Sequence, residues 1–168
     1  MDIYSVDRLI EQTRKLAAEY RVATGQTLPV SSEIANYDAS RLLNLKLIQP
    51  PPGGYDAVGE SGPLEGKRVQ IKGRVLFDEQ KSGQRVGQIK LEQEWDAIVL
   101  VVMDEHYDTI EIFVAERETI DEAMGDAQAG RNKRGAMTVA KFKHLSQLVW
   151  AQGEGVIDDE VWDNQLDG

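Results

Sequence analysis

The sequence of 168 residues has no cysteine and no long apolar run, and both absences restrict what the protein can be. Without cysteine there can be no disulfide, no thiolate metal site and no cysteine nucleophile. The longest apolar run, residues 97–103, is too short to span a bilayer, and the first twenty residues lack the apolar centre of a signal peptide. We therefore expect a cytoplasmic protein with no membrane partner.

The formal net charge of −10 disfavours a nucleic-acid partner, because cations that contact phosphates supply much of the affinity for DNA. The charge is unevenly distributed along the chain. Residues 151–168 hold six acids and no lysine or arginine, whereas residues 67–90 hold seven basic residues and residues 131–144 hold five and no acid. Because of these basic segments, DNA is still a possible partner despite the negative net charge. The length predicts one domain, residues 1–153, followed by an acidic tail, residues 154–168.

Apolar residues at helical spacing, together with capping residues, predict four helices. In chain order they are residues 5–23 with a stop at Gly25, a helix that begins at the N-cap Ser32 and ends before residues 50–54, a short helix over 119–124, and residues 139–150 after the N-cap Thr138. Residues 125–135 are predicted to form a loop.

Alternating or continuous apolar segments predict the strands. In chain order they are residues 55–58, 68–77, 86–91, 97–103 and 109–114. The segment 97–103 (AIVLVVM) is apolar throughout, so we expect it at the centre of the sheet, in a hairpin with 109–114. The fold class predicted is α/β, with a mixed or mostly antiparallel sheet of four or five strands flanked by helices.

The segment 54–74 (GYDAVGESGPLEGKRVQIKGR) places three polar side chains where they can converge. Asp56 lies on one short strand, and Gln70 follows fourteen residues later on the next. Side chains alternate along a strand, so Gln70 and Lys72 share one face while Ile71 points to the other. Antiparallel pairing of the two strands would bring Asp56 beside them.

A carboxylate, an amide oxygen and an ammonium group are what metal-assisted phosphodiester hydrolysis requires. Asp56, the Gln70 side-chain oxygen and the Ile71 carbonyl could bind Mg²⁺ or Mn²⁺, which take oxygen ligands. Lys72 could orient the attacking water or offset charge on the phosphate. Glu33, at the start of the second helix, could add a carboxylate. The alternative is that Asp56 is a turn residue and Lys72 lies on a solvated strand face. In the same alternative, Glu33 only stabilises the start of its helix through the helix dipole.

An acid on one strand followed by Gln-x-Lys on the next resembles the PD-(D/E)xK nuclease superfamily, over roughly residues 31–114. The resemblance implies a restriction-endonuclease-like fold and a Mg²⁺-dependent DNA endonuclease, in restriction, defence or repair. Asp56 matches the first acid of the motif and Lys72 its lysine. Gln70 replaces the second acid, as in the Mrr-like restriction enzymes that this pattern resembles. In related chains a second glutamate is expected about one helical turn after Glu33, where this chain has Asn36.

Basic residues near the motif are the candidates for DNA contact, although solvated surface positions would look the same. The candidates are Arg74, Arg134, Lys141 and Lys143. Cutting both strands would need two active sites, which points to a homodimer, and target recognition could need a protein partner. A second hypothesis is a catalytically inactive nuclease fold that serves as a binding or regulatory module. The neutral Gln70 and the acidic charge balance favour it.

Overall fold

A computed structural model of the protein describes residues 5–49, 51, 53–77, 84–89, 91–129 and 136–157. Two helices begin the described chain, six strands follow them, and the last two helices are separated by a short strand. In order they are α1 (Val6–Thr24), α2 (Ser31–Leu42), β1 (Leu45–Leu47), β2 (Ala57–Gly59), β3 (Arg68–Val75), β4 (Arg85–Gln88), β5 (Ala97–Met103), β6 (Thr109–Glu116), α3 (Arg117–Ala129), β7 (Ala136–Thr138), α4 (Val139–Leu145), β8 (Gln147–Ala151) and β9 (Gly155–Val156). In these residues no helix is long and apolar enough to cross a membrane.

Seven strands form one mixed sheet in the order β1-β2-β3-β5-β6-β8-β9. β3 and β5 run parallel, and the other neighbours in this sheet run antiparallel. β4 and β7 form a separate two-stranded sheet. The protein is therefore of the α/β class with a mixed sheet, as predicted, but the sheet has seven strands rather than four or five.

The sheet is covered on both faces, which explains why every residue of β5 is buried. One face packs against α1 and α2, through residues such as Ile34 and Ala39. We call it the α2 face. The other packs against α3, α4 and the β4–β7 pair, through residues such as Met124 and Phe142. We call it the α4 face. A strand buried on both sides needs a continuous apolar sequence, and residues 97–103 supply it.

The ends of the first two helices test the capping predictions. The Ser5 side chain accepts a hydrogen bond from the Arg8 amide and Gly25 ends α1 with φ 74°, so both ends of α1 are confirmed. The N-cap of α2 is Val30 rather than Ser32, and no side chain caps it. The carbonyl of Val30 accepts from the amide of Ile34, which places the first helical turn earlier than predicted.

The predictions for the second half of the chain are less accurate. The predicted helix over 139–150 is wrong beyond Leu145, because residues 147–151 form β8 and pair with the edge of β6. α3 extends through residue 129, so the predicted loop is wrong over 125–129, and residues 130–135 lie outside the described residues. The predicted strand 86–91 is β4, which pairs with β7 outside the main sheet. β9 shows that residues 155–156, assigned to the tail, pair with the sheet.

Gly73 lets α2 approach β3 closely. A Cβ atom there would lie 2.5 Å from the Ala35 Cβ and 2.9 Å from the Ser31 carbonyl oxygen. Both neighbours belong to a packed helix, so they cannot move away cheaply. A glycine on β3 thus sets the distance between the helix and the sheet.

A buried ion pair joins α1, α2 and the β5–β6 turn. Arg14 Nη2 lies 2.5 Å from Asp38 Oδ1, and the Thr109 hydroxyl donates to Asp38 Oδ2 at 2.6 Å. Arg14 Nη1 also donates to the Tyr107 carbonyl oxygen at 2.7 Å. Burial alone would lower the pKa of Arg14, but the hydrogen bond and charge of Asp38 outweigh it and raise that pKa. Every group in this network therefore has a partner.

We expect Asp38→Asn to lower the free energy of unfolding by about 3–5 kcal/mol, because it leaves the Arg14 guanidinium buried without its main counter-charge. Urea unfolding followed by circular dichroism measures the change. Glu11→Gln is the matched control, since Glu11 also pairs with Arg14 but its side chain is 63% exposed. The control should change stability by less than about 1 kcal/mol. Equal effects of the two substitutions would contradict this account.

Candidate functional site

Asp56 immediately precedes β2 and does not lie within a strand over 55–58 as predicted, but it contacts β3 through both its backbone and its side chain. β2 and β3 are antiparallel, with Ala57 opposite Val69, which confirms the predicted pairing. The Asp56 amide donates to the Val69 carbonyl oxygen at 2.8 Å. The Asp56 Oδ2 accepts from the Ile71 amide, also at 2.8 Å. The carboxylate therefore contacts the residue between Gln70 and Lys72.

β2 is only three residues long, so it pairs with only the beginning of this edge of β3. The amide and the carbonyl of one strand residue point to the same side of the strand. The Ile71 carbonyl therefore points to the same edge of β3 as the Asp56 carboxylate. Two kinds of oxygen ligand, one charged and one neutral, are thus available at one position.

Gln70 is buried, with 6% of its surface exposed, yet its amide is only half satisfied. The Nε2 atom donates to the Gly54 carbonyl oxygen at 2.9 Å, which fixes the orientation of the amide. The Oε1 atom is buried and has no hydrogen-bond partner among the described residues. An acceptor buried in this way costs stability unless something else binds it.

Lys72 follows Gln70 on the same face of β3, and its side chain is partly buried. Both side chains alternate with Val69 and Ile71, which belong to the α2 face, so Gln70 and Lys72 lie on the α4 face. The β2–β3 pairing therefore places Asp56 next to the strand segment that carries Gln70 and Lys72.

Glu33 is not brought to this position. It is exposed in the first turn of α2, a helix that packs against the opposite face of the sheet. The described part of the chain contains no group of three or more histidine, aspartate and glutamate residues that could hold a metal ion. The oxygen atoms near Asp56 suit a hard cation, with one carboxylate and otherwise neutral donors. A ligand role for Glu33 stays a prediction.

The predicted DNA-contact residues lie in different environments. Lys141 is exposed on α4. Lys143 forms an ion pair with Glu111 at 3.2 Å, and its Nζ lies 5.3 Å from the centre of the Phe113 ring. The Arg74 Nε donates to the Arg85 carbonyl oxygen at 2.6 Å, and burial lowers the pKa of Arg74. Arg134 lies outside the described residues. DNA contact by these four residues stays a prediction.

Two contacts that sequence reasoning missed hold the site in place. The Gly54 carbonyl orients Gln70, and nothing in a glycine-containing turn signals that role. The Asp96 carboxylate accepts hydrogen bonds from the Arg68 amide at 2.7 Å and from the Arg68 Nε at 3.0 Å. These bonds join the starts of β3 and β5. The hydrogen bond from the Arg68 side chain lowers the pKa of Asp96, despite the opposing effect of burial. An acid before an apolar strand is a weak signal for such a contact.

Comparison with known proteins adds no assignment. The chain matches no protein-family model, and no curated protein matches it in sequence. The chemistry must therefore be argued from the geometry around Asp56.

We expect Asp56→Ala to lower the free energy of unfolding by about 1–3 kcal/mol, because the Ile71 amide loses its acceptor. Asp56→Asn keeps a side-chain oxygen in the same place and should retain most of that stability. Urea unfolding measures both. Glu60→Ala is the control, since Glu60 is an exposed acid just after β2, and it should cost less than about 0.5 kcal/mol. If Asp56→Ala is as mild as the control, the contact with Ile71 is unimportant for folding.

Proposed function

We propose that the protein is a divalent-metal-dependent deoxyribonuclease of the restriction-endonuclease-like type. The observation that carries the proposal is the buried Gln70 Oε1, which has no hydrogen-bond partner among the described residues and belongs to the residue next to Ile71, whose amide binds the Asp56 carboxylate. An amide that is oriented through its Nε2 and has an Oε1 without a described partner could bind a metal ion through that oxygen. The acid and the Gln-x-Lys segment also lie on adjacent antiparallel strands, as the resemblance to PD-(D/E)xK nucleases requires.

In this proposal Asp56, the Gln70 Oε1 and the Ile71 carbonyl would hold Mg²⁺ or Mn²⁺. The bound ion would polarise the scissile phosphate and lower the pKa of a coordinated water. Lys72 places a positive charge on the same face of β3 as Gln70, where it would offset the negative charge that grows on the phosphate. The Asp56 Oδ2 is already fixed by the Ile71 amide, so the carboxylate is oriented before any ligand binds. A homodimer would supply two such sites for two DNA strands.

The second candidate is an inactive nuclease fold that acts as a binding or regulatory module. A specific observation favours it: the described residues contain no group of three or more histidines, aspartates and glutamates that could hold a metal ion, and the Asp56 carboxylate already bonds a backbone amide. One negative charge holds a divalent ion weakly. The two candidates differ in whether metal binds and whether DNA is cut.

Cleavage of supercoiled plasmid and single-stranded DNA in Mg²⁺, Mn²⁺ or EDTA tests the proposal. We expect cutting that requires metal and falls at least about a hundredfold in Asp56→Asn and in Lys72→Met, since each removes charge from the reacting centre. Lys46→Met is the matched control, because Lys46 is an exposed strand lysine on β1. Glu33→Gln tests the separate prediction that Glu33, which lies over the other face of the sheet, is a metal ligand; loss of cutting would support that role and unchanged cutting would exclude it. A folded wild type that neither cuts DNA nor binds Mn²⁺ in calorimetry would favour the inactive module.

Gln70→Glu provides a test of the metal site that does not depend on cutting. The substitution adds a second carboxylate beside Asp56 but removes the donor to the Gly54 carbonyl. Without metal the variant should therefore be less stable than wild type, and Mn²⁺ should restore its melting temperature. Calorimetry should also show tighter Mn²⁺ binding than in wild type. Gln70→Ala is the comparison, and if it responds to Mn²⁺ as Gln70→Glu does, then position 70 is not a ligand.

A further inference from the structure

A pocket of about 430 Å³ lies between the α1–α2 connection and the edge of β3, beyond the Asp56 site. The connection, residues 25–30, forms one wall, and the end of β3 with Phe77 forms the other. Polar side chains contribute much of the lining. They are Arg21, Gln26, Thr27, Ser31, Arg74 and Gln84.

The described residues that line this pocket differ in charge from the protein as a whole. Two arginines line it, and none of its described lining residues is an acid. The chain as a whole has 29 acids, 19 basic residues and a net charge of −10. A concave site of one sign in a protein of the other sign attracts ligands of complementary charge. Here that ligand would be an anion.

Arg74 is a partly buried cation whose hydrogen bonds go only to main-chain oxygens among the described residues. Its Nε donates to the Arg85 carbonyl and its Nη1 to the Gly73 carbonyl. None of the ion pairs between described residues includes Arg74. Carbonyl dipoles hold the guanidinium in place but do not neutralise it. A buried charge without a counter-ion is unfavourable, and a bound anion would compensate for it.

Arg21 is also held in one orientation. Its guanidinium carbon lies 4.5 Å from the centre of the Phe77 ring, and its Nη1 donates to the Gly25 carbonyl oxygen at 2.9 Å. A side chain already fixed by such contacts loses little conformational entropy when a ligand binds. Thr27 and Ser31 add hydroxyl groups, which can donate to an anion.

We propose that this pocket binds a phosphate group, carried by a free phosphate ester or by a nucleic-acid strand. Guanidinium groups bind phosphate oxygens through paired, charge-assisted hydrogen bonds. The volume exceeds that of a phosphate alone and falls in the range of small-molecule sites, so part of the attached group would also fit. Gly73 lies about 7 Å beyond Ile71 along β3, from the rise of a strand. The pocket is therefore separate from the Asp56 site, and the inference does not rest on the proposed nuclease function.

Binding is measured in EDTA, so that the result is independent of any metal at Asp56. The probes are inorganic phosphate and thymidine 5′-monophosphate by calorimetry, and a fluorescent dT12 strand by anisotropy. We expect saturable binding that weakens at least about tenfold in Arg21→Gln and in Arg74→Gln. Thr27→Glu, which removes no described contact and adds a negative charge, should weaken it similarly. Arg8→Gln is the matched control on the exposed start of α1 and should change affinity less than about twofold.

Each outcome decides the question. Displacement of dT12 by inorganic phosphate, with loss of dT12 binding in the pocket variants, assigns the site to strand phosphates. Binding of the mononucleotide that is lost in these variants, with dT12 unaffected by them, assigns it to a free ester. If Arg74→Gln does not fold, Arg21→Gln and Thr27→Glu carry the test. The proposal is overturned if no probe binds saturably, or if the pocket variants bind as wild type does. Asp56→Asn should bind these probes as wild type does, even if it loses DNA cutting, because the pocket is separate from the Asp56 site.

Discussion

Seven consecutive residues of β3 pair in parallel with β5, from Val69 opposite Ala97 to Val75 opposite Met103. This pairing holds one edge of β3 along its length, while β2 covers only the beginning of the other edge. The groups that could bind a ligand lie along that second edge. The Asp56 carboxylate is first, and the arginine-lined pocket follows. Because β5 is buried on both faces, the strand that supports both sites cannot shift without disrupting the core.

The interactions at the β5–β6 turn, next to the pocket that Tyr107 helps to line, are of a different kind. Arg14 and Asp38 form a charged contact inside an otherwise apolar layer, joined by Thr109 from β6. A buried pair of this kind adds little net stability over well-packed apolar residues, but breaking it is costly. Its geometric effect is to fix how α1 and α2 sit relative to the β5–β6 turn. Since α2 also contacts Gly73, the network helps to position β3 at the pocket.

The sequence predicts features that depend on local pattern and fails where partners are distant. The apolar segment 97–103 and its hairpin are recognisable because alternation and burial are local properties. The placement of Asp56 next to the Gln70–Lys72 segment could be predicted from strand alternation together with antiparallel pairing of two successive strands. The contact of Asp38 with Arg14 spans 24 residues and has no local signal. Residues 147–151 have helical spacing, but the unpaired edge of β6 competes for them and they form a strand. Tertiary pairing overrides local preference there.

The β4–β7 pair has a consequence for motion. A two-stranded sheet is marginally stable by itself, so this pair depends on packing of Val86 and Met137 against the α4 face. It should therefore open locally at a lower free energy than the seven-stranded sheet, and its amides should exchange with solvent earlier. Arg74 bonds the Arg85 carbonyl in β4, so each opening would also release the guanidinium from one of its anchors. Slow amide exchange in β5 and faster exchange in β4 would then distinguish a rigid frame from a local hinge beside the pocket.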